Sequence, residues 1–210
     1  LIVALYVHAY FAEQTELKAS SALLALPGGT DPLSGRAGAS GEDFLKIARE
    51  FPSTSAGQRA LLLAASRLFE AGDYASAQAQ YEEFLRRHPG SSLAGIAYLG
   101  VAASLDAQDE TQAALSAYER MINARPNDAF VGRAKLAMAA LYESRSEPLL
   151  ALAVYEELNN PALYGALAQQ AAAQREALLL KHPELAPTNT VVSPESPEGA
   201  APTFLVRAPR

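Results

Sequence analysis

Cysteine is absent from this 210-residue chain, which excludes disulfides and thiolate metal sites and leaves the compartment open. Tryptophan is absent as well. Positive charge is scarce: the formal net charge is −6, charged residues make up 19%, and the longest basic cluster is Arg86-Arg87-His88. A nucleic-acid binder needs a basic stripe that displaces counterions from phosphate, so nucleic acid is excluded as a partner. No Gly-x-Ser-x-Gly elbow, His-Glu-x-x-His pair or redox pair occurs, and an enzyme reading has no residues to rest on. No cofactor is implied.

The isolated polar groups have plain explanations. His88 and His182 each precede a proline at an expected helix end, where a cation would meet the negative end of the helix dipole. With His8 they do not converge at metal-ligand spacing. Glu82-Glu83, Asp109-Glu110 and Glu156-Glu157 are sequence neighbours, and neighbours on a helix do not face each other. They read as solvated faces. The glycine-rich stretch 27–43 lacks the Lys-Ser/Thr of a phosphate loop and follows no strand, so it reads as a connector.

What the chain has in abundance is alanine and leucine, and half of its residues are hydrophobic. These residues lose little side-chain entropy in helices. The opening segment Leu1–Val7 is wholly apolar and is followed by Tyr10 and Phe11. It is shorter than the roughly 20 residues that span a bilayer. It reads either as the end of a spanning helix or as a buried helix, with a signal-peptide remnant as a third reading that lacks a cleavage pattern. Glu13 and Glu16 follow, with a single Lys18. Flanks on the cytoplasmic side carry excess Lys and Arg, so the downstream side is expected to be non-cytoplasmic.

The centre of the chain repeats. Ala77, Ala114 and Ala151 each stand four positions before Tyr81, Tyr118 and Tyr155, and both series step by 37 residues, as do Pro52, Pro89 and Pro126. Phe44 and Ser40 mark a partial earlier copy. Residues 56–71, 93–108 and 130–145 each read as a first helix, with small residues in register at Ala60/Ala97/Ala134 and Ala65/Ala102/Ala139. A polar turn then leads to a second helix in which tyrosine packs over alanine, because i and i+4 share a face. Proline ends each unit. One helical hairpin cannot bury both faces, whereas stacked copies can. Helices are further expected over 10–26, 42–51 and 161–182. Gln169, Gln170, Gln174, Arg175 and Glu176 of the last would give the array a polar outer cap.

These residues resemble the tetratricopeptide repeat: a small residue in the first helix, Ala-x3-aromatic, then proline, at Ala65/Ala77/Tyr81/Pro89 and Ala102/Ala114/Tyr118/Pro126. The third copy has Ala139/Ala151/Tyr155, with Pro161 arriving early. The unit exceeds the usual 34 residues, and Leu61, Tyr98 and Lys135 stand where the family opens with tryptophan. The resemblance covers about residues 42–185. It implies an all-α fold of antiparallel helix pairs stacked into a right-handed superhelix. It also implies a protein-binding scaffold whose concave groove, lined by first-helix positions, takes a peptide or helix. Those positions are Arg59, Leu62, Ser66 and Phe69, then Ile96, Leu99, Ala103 and Asp106, then Arg133, Leu136, Ala140 and Glu143. The line Leu62/Leu99/Leu136 is apolar throughout, and the Lys/Asn carboxylate clamp of some relatives is missing. Against this, the leucines could pack inside the array, or the N-terminal helix could fill the groove.

The order of parts is similar to the inner-membrane-anchored periplasmic repeat proteins that accompany the SecYEG translocon (YfgM-like). That likeness implies a single-pass protein of the bacterial inner membrane with its repeats in the periplasm, assisting a membrane or envelope machine. A soluble protein is the alternative location, and a self-associating structural homo-oligomer the alternative function. The expected division is 1–12, the end of an anchor; 13–52, N-terminal helices and connector forming a partial repeat; 53–160, three repeats; 161–185, a capping helix; and 186–210, a Pro-rich tail whose composition predicts disorder. Phe204-Leu-Val-Arg in that tail is a candidate docking motif.

Overall fold

The computed structural model describes residues 2–27 and 38–186. Residues 28–37 of the expected connector and the tail 187–210, with its Phe204-Leu-Val-Arg motif, lie outside them. The described residues form α-helices and one short 3-10 turn, with no strand among them.

Three helical hairpins make up the middle of the chain: α3 (Ser55–Glu70) with α4 (Tyr74–Arg87), α5 (Ala94–Asp106) with α6 (Thr111–Ala124), and α7 (Val131–Ser144) with α8 (Pro148–Leu158). Before them stand α1 (Ile2–Ala25) and α2 (Gly41–Glu50). After them come α9 (Pro161–Tyr164) and α10 (Ala166–Lys181). From α2 to α8 each helix packs on its sequence neighbours, and α10 packs on α8. The expected all-α, stacked-pair architecture is the one found.

The helix ends show why the chain breaks where it does. Ser40 accepts the Asp43 N–H while Asp43 accepts the Ser40 N–H at 3.0 Å, a reciprocal cap that starts α2. Thr54, Ser91 and Asp128, one period apart, accept backbone N–H groups of Gly57, Leu93 and Phe130. Each thereby satisfies an orphan donor as a first helix begins. Each first helix ends in one and the same turn. Gly72, Asp109 and Ser146 all have positive φ, at 82, 61 and 60°. The next residue's N–H (Asp73, Glu110, Glu147) donates to Leu68, Leu105 and Tyr142 O, each at 2.9 Å. This is the Schellman closure, in which a left-handed residue lets two orphan carbonyls be satisfied. Only the first copy uses glycine.

Packing follows the same period. Ala60/Ala97/Ala134, Ala65/Ala102/Ala139 and Ala77/Ala114/Ala151 are fully buried, and Tyr81, Tyr118 and Tyr155 nearly so. Small residues at these crossings let the helix backbones approach. Gly100 gives the clearest case, because a Cβ there would overlap the ring of Tyr81. A further buried series, Phe84/Met121/Leu158, keeps the step although no two of its members are alike, and none has any exposure.

Three expectations are corrected. The helix expected over 10–26 is not separate from the apolar opening segment: α1 runs unbroken from Ile2 to Ala25. The last helix is broken, because Gly165 takes a positive φ of 53° and separates α9 from α10. His88 does not supply the cation at the end of α4. It stacks on Phe84 with ring centroids 5.2 Å apart, and burial, then the Arg87 charge, hold its pKa below the ordinary 6.5. Arg86 and Arg87 carry the positive charge in that turn.

The first part of α1 stands apart from the array. Val3, Tyr6, Val7, Tyr10 and Phe11 are exposed. Further along, α1 docks on α2 and α3. Ala19 is fully buried, and Ala22, Leu23 and Leu26 pack against the main core. Glu16 completes the dock: its carboxylate accepts the Ser55 N–H at 2.7 Å and the Ala56 N–H at 2.9 Å. It lies on the positive end of the α3 dipole. No helix of the described residues is long and apolar enough to cross a membrane.

Candidate functional site

The twelve groove positions lie on the first helices of the three hairpins, with unequal exposure. Arg59, Ile96, Asp106, Arg133 and Ala140 are exposed, while Ser66, Phe69, Leu99, Ala103, Leu136 and Glu143 are half-buried. Leu62 is buried in the main core, so the apolar line Leu62/Leu99/Leu136 is not a uniform surface. Its first member is held inside, where α1 supplies additional packing against the same cluster. Phe69 is likewise engaged, edge-on to Tyr74 at 5.0 Å.

The second helices also contribute to this face, through their tyrosines. Tyr81 lies beside Ser66 and Glu70, Tyr118 beside Asp106, and the Tyr155 hydroxyl donates to Glu143 Oε1 at 2.6 Å. Burial, and after it the neighbouring carboxylate, raises Tyr118 to about 12. Burial followed by the Glu143 hydrogen bond raises Tyr155 further. Both phenols are therefore neutral donors at physiological pH. Burial, then the Asp109 charge, raises Asp106 above the usual aspartate value.

Four of the twelve residues, Arg133, Leu136, Ala140 and Glu143, gather in a single cleft of about 630 Å³ between α7, α8 and α10. The other eight do not line it. Ala137, Tyr155, Leu167, Gln170 and Gln174 complete its walls. Gln170 and Gln174 were expected on the outer capping face, yet they line the cleft. They stand one period after Arg133 and Ala137, so extending the 37-residue step into α10 would have found them. Of the remaining cap residues, Gln169 and Glu176 are exposed, and Arg175 pairs with Glu156 at 3.3 Å.

The cleft has an apolar floor of Leu136, Ala137, Ala140 and Leu167, with a cation at one end and an anion at the other. Ten residues of α7 separate Arg133 from Glu143, about 15 Å at 1.5 Å per residue. Glu143 also faces Lys181 at 3.7 Å. Arg133 pairs with no carboxylate among the described residues. The side-chain amides of Gln170 and Gln174 can both donate and accept, as the backbone of an extended segment requires. No three His, Asp or Glu side chains gather as a metal site among the described residues.

Residues 1–137 match the family model of the tetratricopeptide repeat-like domain. The match runs from α1 into the middle of α7, so the α10 wall of the cleft lies beyond it. No curated protein matches the sequence.

Proposed function

The chain belongs to the tetratricopeptide repeat-like family, and from that premise we propose that it is a protein-binding scaffold whose working surface is the cleft between α7 and α10. The observation that carries this is the cleft's composition: an apolar floor between opposite charges about 15 Å apart along α7, and two glutamines on one wall. Such a surface suits a short extended segment or two to three turns of an amphipathic helix from a protein partner.

The first half of α1 supports a second element of the proposal. The sequence of residues 2–7 is wholly apolar, and Val3, Tyr6, Val7, Tyr10 and Phe11 are exposed. A helix apolar all round belongs in a core or in lipid. We propose that this segment attaches the protein to a membrane, with the array on the non-cytoplasmic side, beside a membrane or envelope machine of the translocon-associated or chaperone type. Self-association is the second reading, favoured by the exposed Leu149, Leu150, Leu163 and Leu180 in the last three helices. Sedimentation of the full chain separates it, since a tight dimer would place the apolar surface against a second copy.

The test is selection of displayed random peptides on the full chain and on Ala140→Arg. Ala140 is an exposed floor residue, and arginine is a good helix former, so the substitution fills the cleft without touching the core. Peptides selected on the parent should lose at least tenfold in affinity for the variant, with an unchanged Tm. Equal binding to both would sink the proposal.

A further inference from the structure

Each hairpin carries a crevice between the start of its first helix and the end of its second, and the three copies are closed to different degrees. At the second hairpin the crevice is filled from within. Asp128 stands over Gly95, where a Cβ would overlap its carboxylate. That carboxylate accepts the Arg125 Nε–H at 2.9 Å and the Phe130 N–H at 3.0 Å, and its side chain is only 8% exposed. At the third hairpin, Tyr164 and Leu167 stand against Gly132. At the first, one period earlier, Ser91 replaces Asp128, His88 replaces Arg125 and Gln58 replaces Gly95. The Ser91 hydroxyl donates to Gln58 Oε1 at 3.1 Å. An open crevice of about 610 Å³ remains, lined by Arg49, Pro52, Ser53, Gln58, Arg87 and His88, with no carboxylate among them.

Its cations are only partly engaged. Arg49 and Arg87 stand in the last turns of α2 and α4, where positive charge offsets the helix dipole. Arg87 shares the Glu83 carboxylate with Arg86, so Glu83 stays paired when Arg87 turns away. Arg49 meets Glu42 at 3.0 Å with both side chains more than half exposed, and such a surface pair holds weakly. His88, its pKa held below 6.5, is neutral at pH 7 and keeps one ring N–H to donate. Glu16 is taken up by the Ser55 and Ala56 N–H groups and lines a neighbouring cleft instead.

We propose that this crevice binds an aspartate or glutamate side chain from an acidic segment of a protein partner. The second hairpin shows what the repeat accommodates at this place: a carboxylate held by one guanidinium and one neutral N–H. The first hairpin offers two guanidinium groups and the Gln58 amide to a carboxylate from outside the chain, and arginine forks match that group well. The site lies on the first hairpin and does not depend on the α7/α10 cleft. Salt screens a contact between exposed charges, so the crevice is a second foothold for a partner and not its sole anchor.

The full chain is titrated at low ionic strength with a fluorescein-labelled peptide of alternating Asp and Glu, and with the Asn/Gln peptide of the same length. The acidic peptide should bind at least about tenfold more tightly. Arg87→Gln should weaken it by about tenfold. Arg120→Gln, which removes the same charge from an exposed position on α6, should leave it nearly unchanged. Ser91→Asp transplants the internal carboxylate of the second hairpin into the first, and should abolish binding with Tm unchanged or raised. If that variant loses Tm, the comparison of Arg87→Gln with Arg120→Gln decides. Equal affinity for the two peptides, no measurable binding, or equal losses in the two arginine variants overturns the proposal. So does inorganic phosphate that displaces the labelled peptide as well as unlabelled acidic peptide does, which assigns the crevice to free anions. Ala140→Arg should bind the acidic peptide as the parent does; loss there places the peptide in the α7/α10 cleft and also overturns it.

Discussion

Replacing Glu16 with alanine should release α1 from the array. The carboxylate holds two N–H donors in the first turn of α3, from Ser55 and Ala56. A hydrogen bond to a charged group contributes about 1.5–3 kcal/mol. The Ser55 bond is open to water, which replaces much of it, whereas Ala56 is almost fully buried. The better helix propensity of alanine returns a few tenths of a kcal/mol. The net expectation is a loss of about 2 kcal/mol. Thr54 still caps Gly57 at 2.9 Å, so α3 itself survives and the loss is local. Amide hydrogen exchange reads it directly, because about 2 kcal/mol corresponds to roughly a thirtyfold rise in opening. That rise should appear in residues 16–25 and 55–58 while α5 and α6 keep their protection. Glu16→Gln, which retains one acceptor oxygen, should give about half the effect. Unchanged exchange in α1 would refute the reasoning, since the dock would then rest on Ala19 and Leu23 alone.

Three further outcomes follow from the repeat geometry. Asp109→Gly and Ser146→Gly should each stabilise the chain by about 0.5–1 kcal/mol in urea denaturation, because both residues hold a left-handed conformation that glycine adopts without strain; Gly72→Ala should cost about 1 kcal/mol. Gly100→Ala should destabilise by about 2 kcal/mol through overlap with Tyr81, reversing the gain of about 1 kcal/mol that alanine brings to an unobstructed helix; a net gain would show that the ring is free to move. Between about pH 8 and pH 12 Tyr118 alone should leave stability flat to about pH 10 and then lower it by up to about 3 kcal/mol, because the unfolded chain ionises Tyr118 first while burial keeps it protonated in the fold up to about 12. Tyr118→Phe should remove that contribution and leave the further fall that Tyr155 adds, since burial raises its pKa as well.

The repeating core was legible because Ala77/Ala114/Ala151 and Tyr81/Tyr118/Tyr155 repeat the same residue types at a fixed step. Phe84/Met121/Leu158 repeats only a property, large and apolar, so its period does not show in the residue types, although it is buried at least as deeply. The turn conformation at Asp109 and Ser146 was hidden for a related reason: only Gly72 advertises positive φ, and the other two are held there by their neighbours' hydrogen bonds. Glu16 could not be assigned from sequence because it acts across about 40 residues, on donors that exist only once α3 has formed. The continuity of α1 through residue 10 was not legible, because the apolar opening segment leaves no helical period to join to the one that follows. The cleft was half legible. Its α7 wall falls on the expected positions, but glutamines read as a solvated cap form the other wall.

The most direct test of the account is an amide map of the full chain titrated with a peptide selected on it. The account predicts shifted or protected amides along residues 133–143 of α7 and 166–174 of α10, with residues 59–69 of α3 unchanged because Leu62 is already in the core. A footprint centred on α3 and α5, or on the second helices α4 and α6, would contradict it.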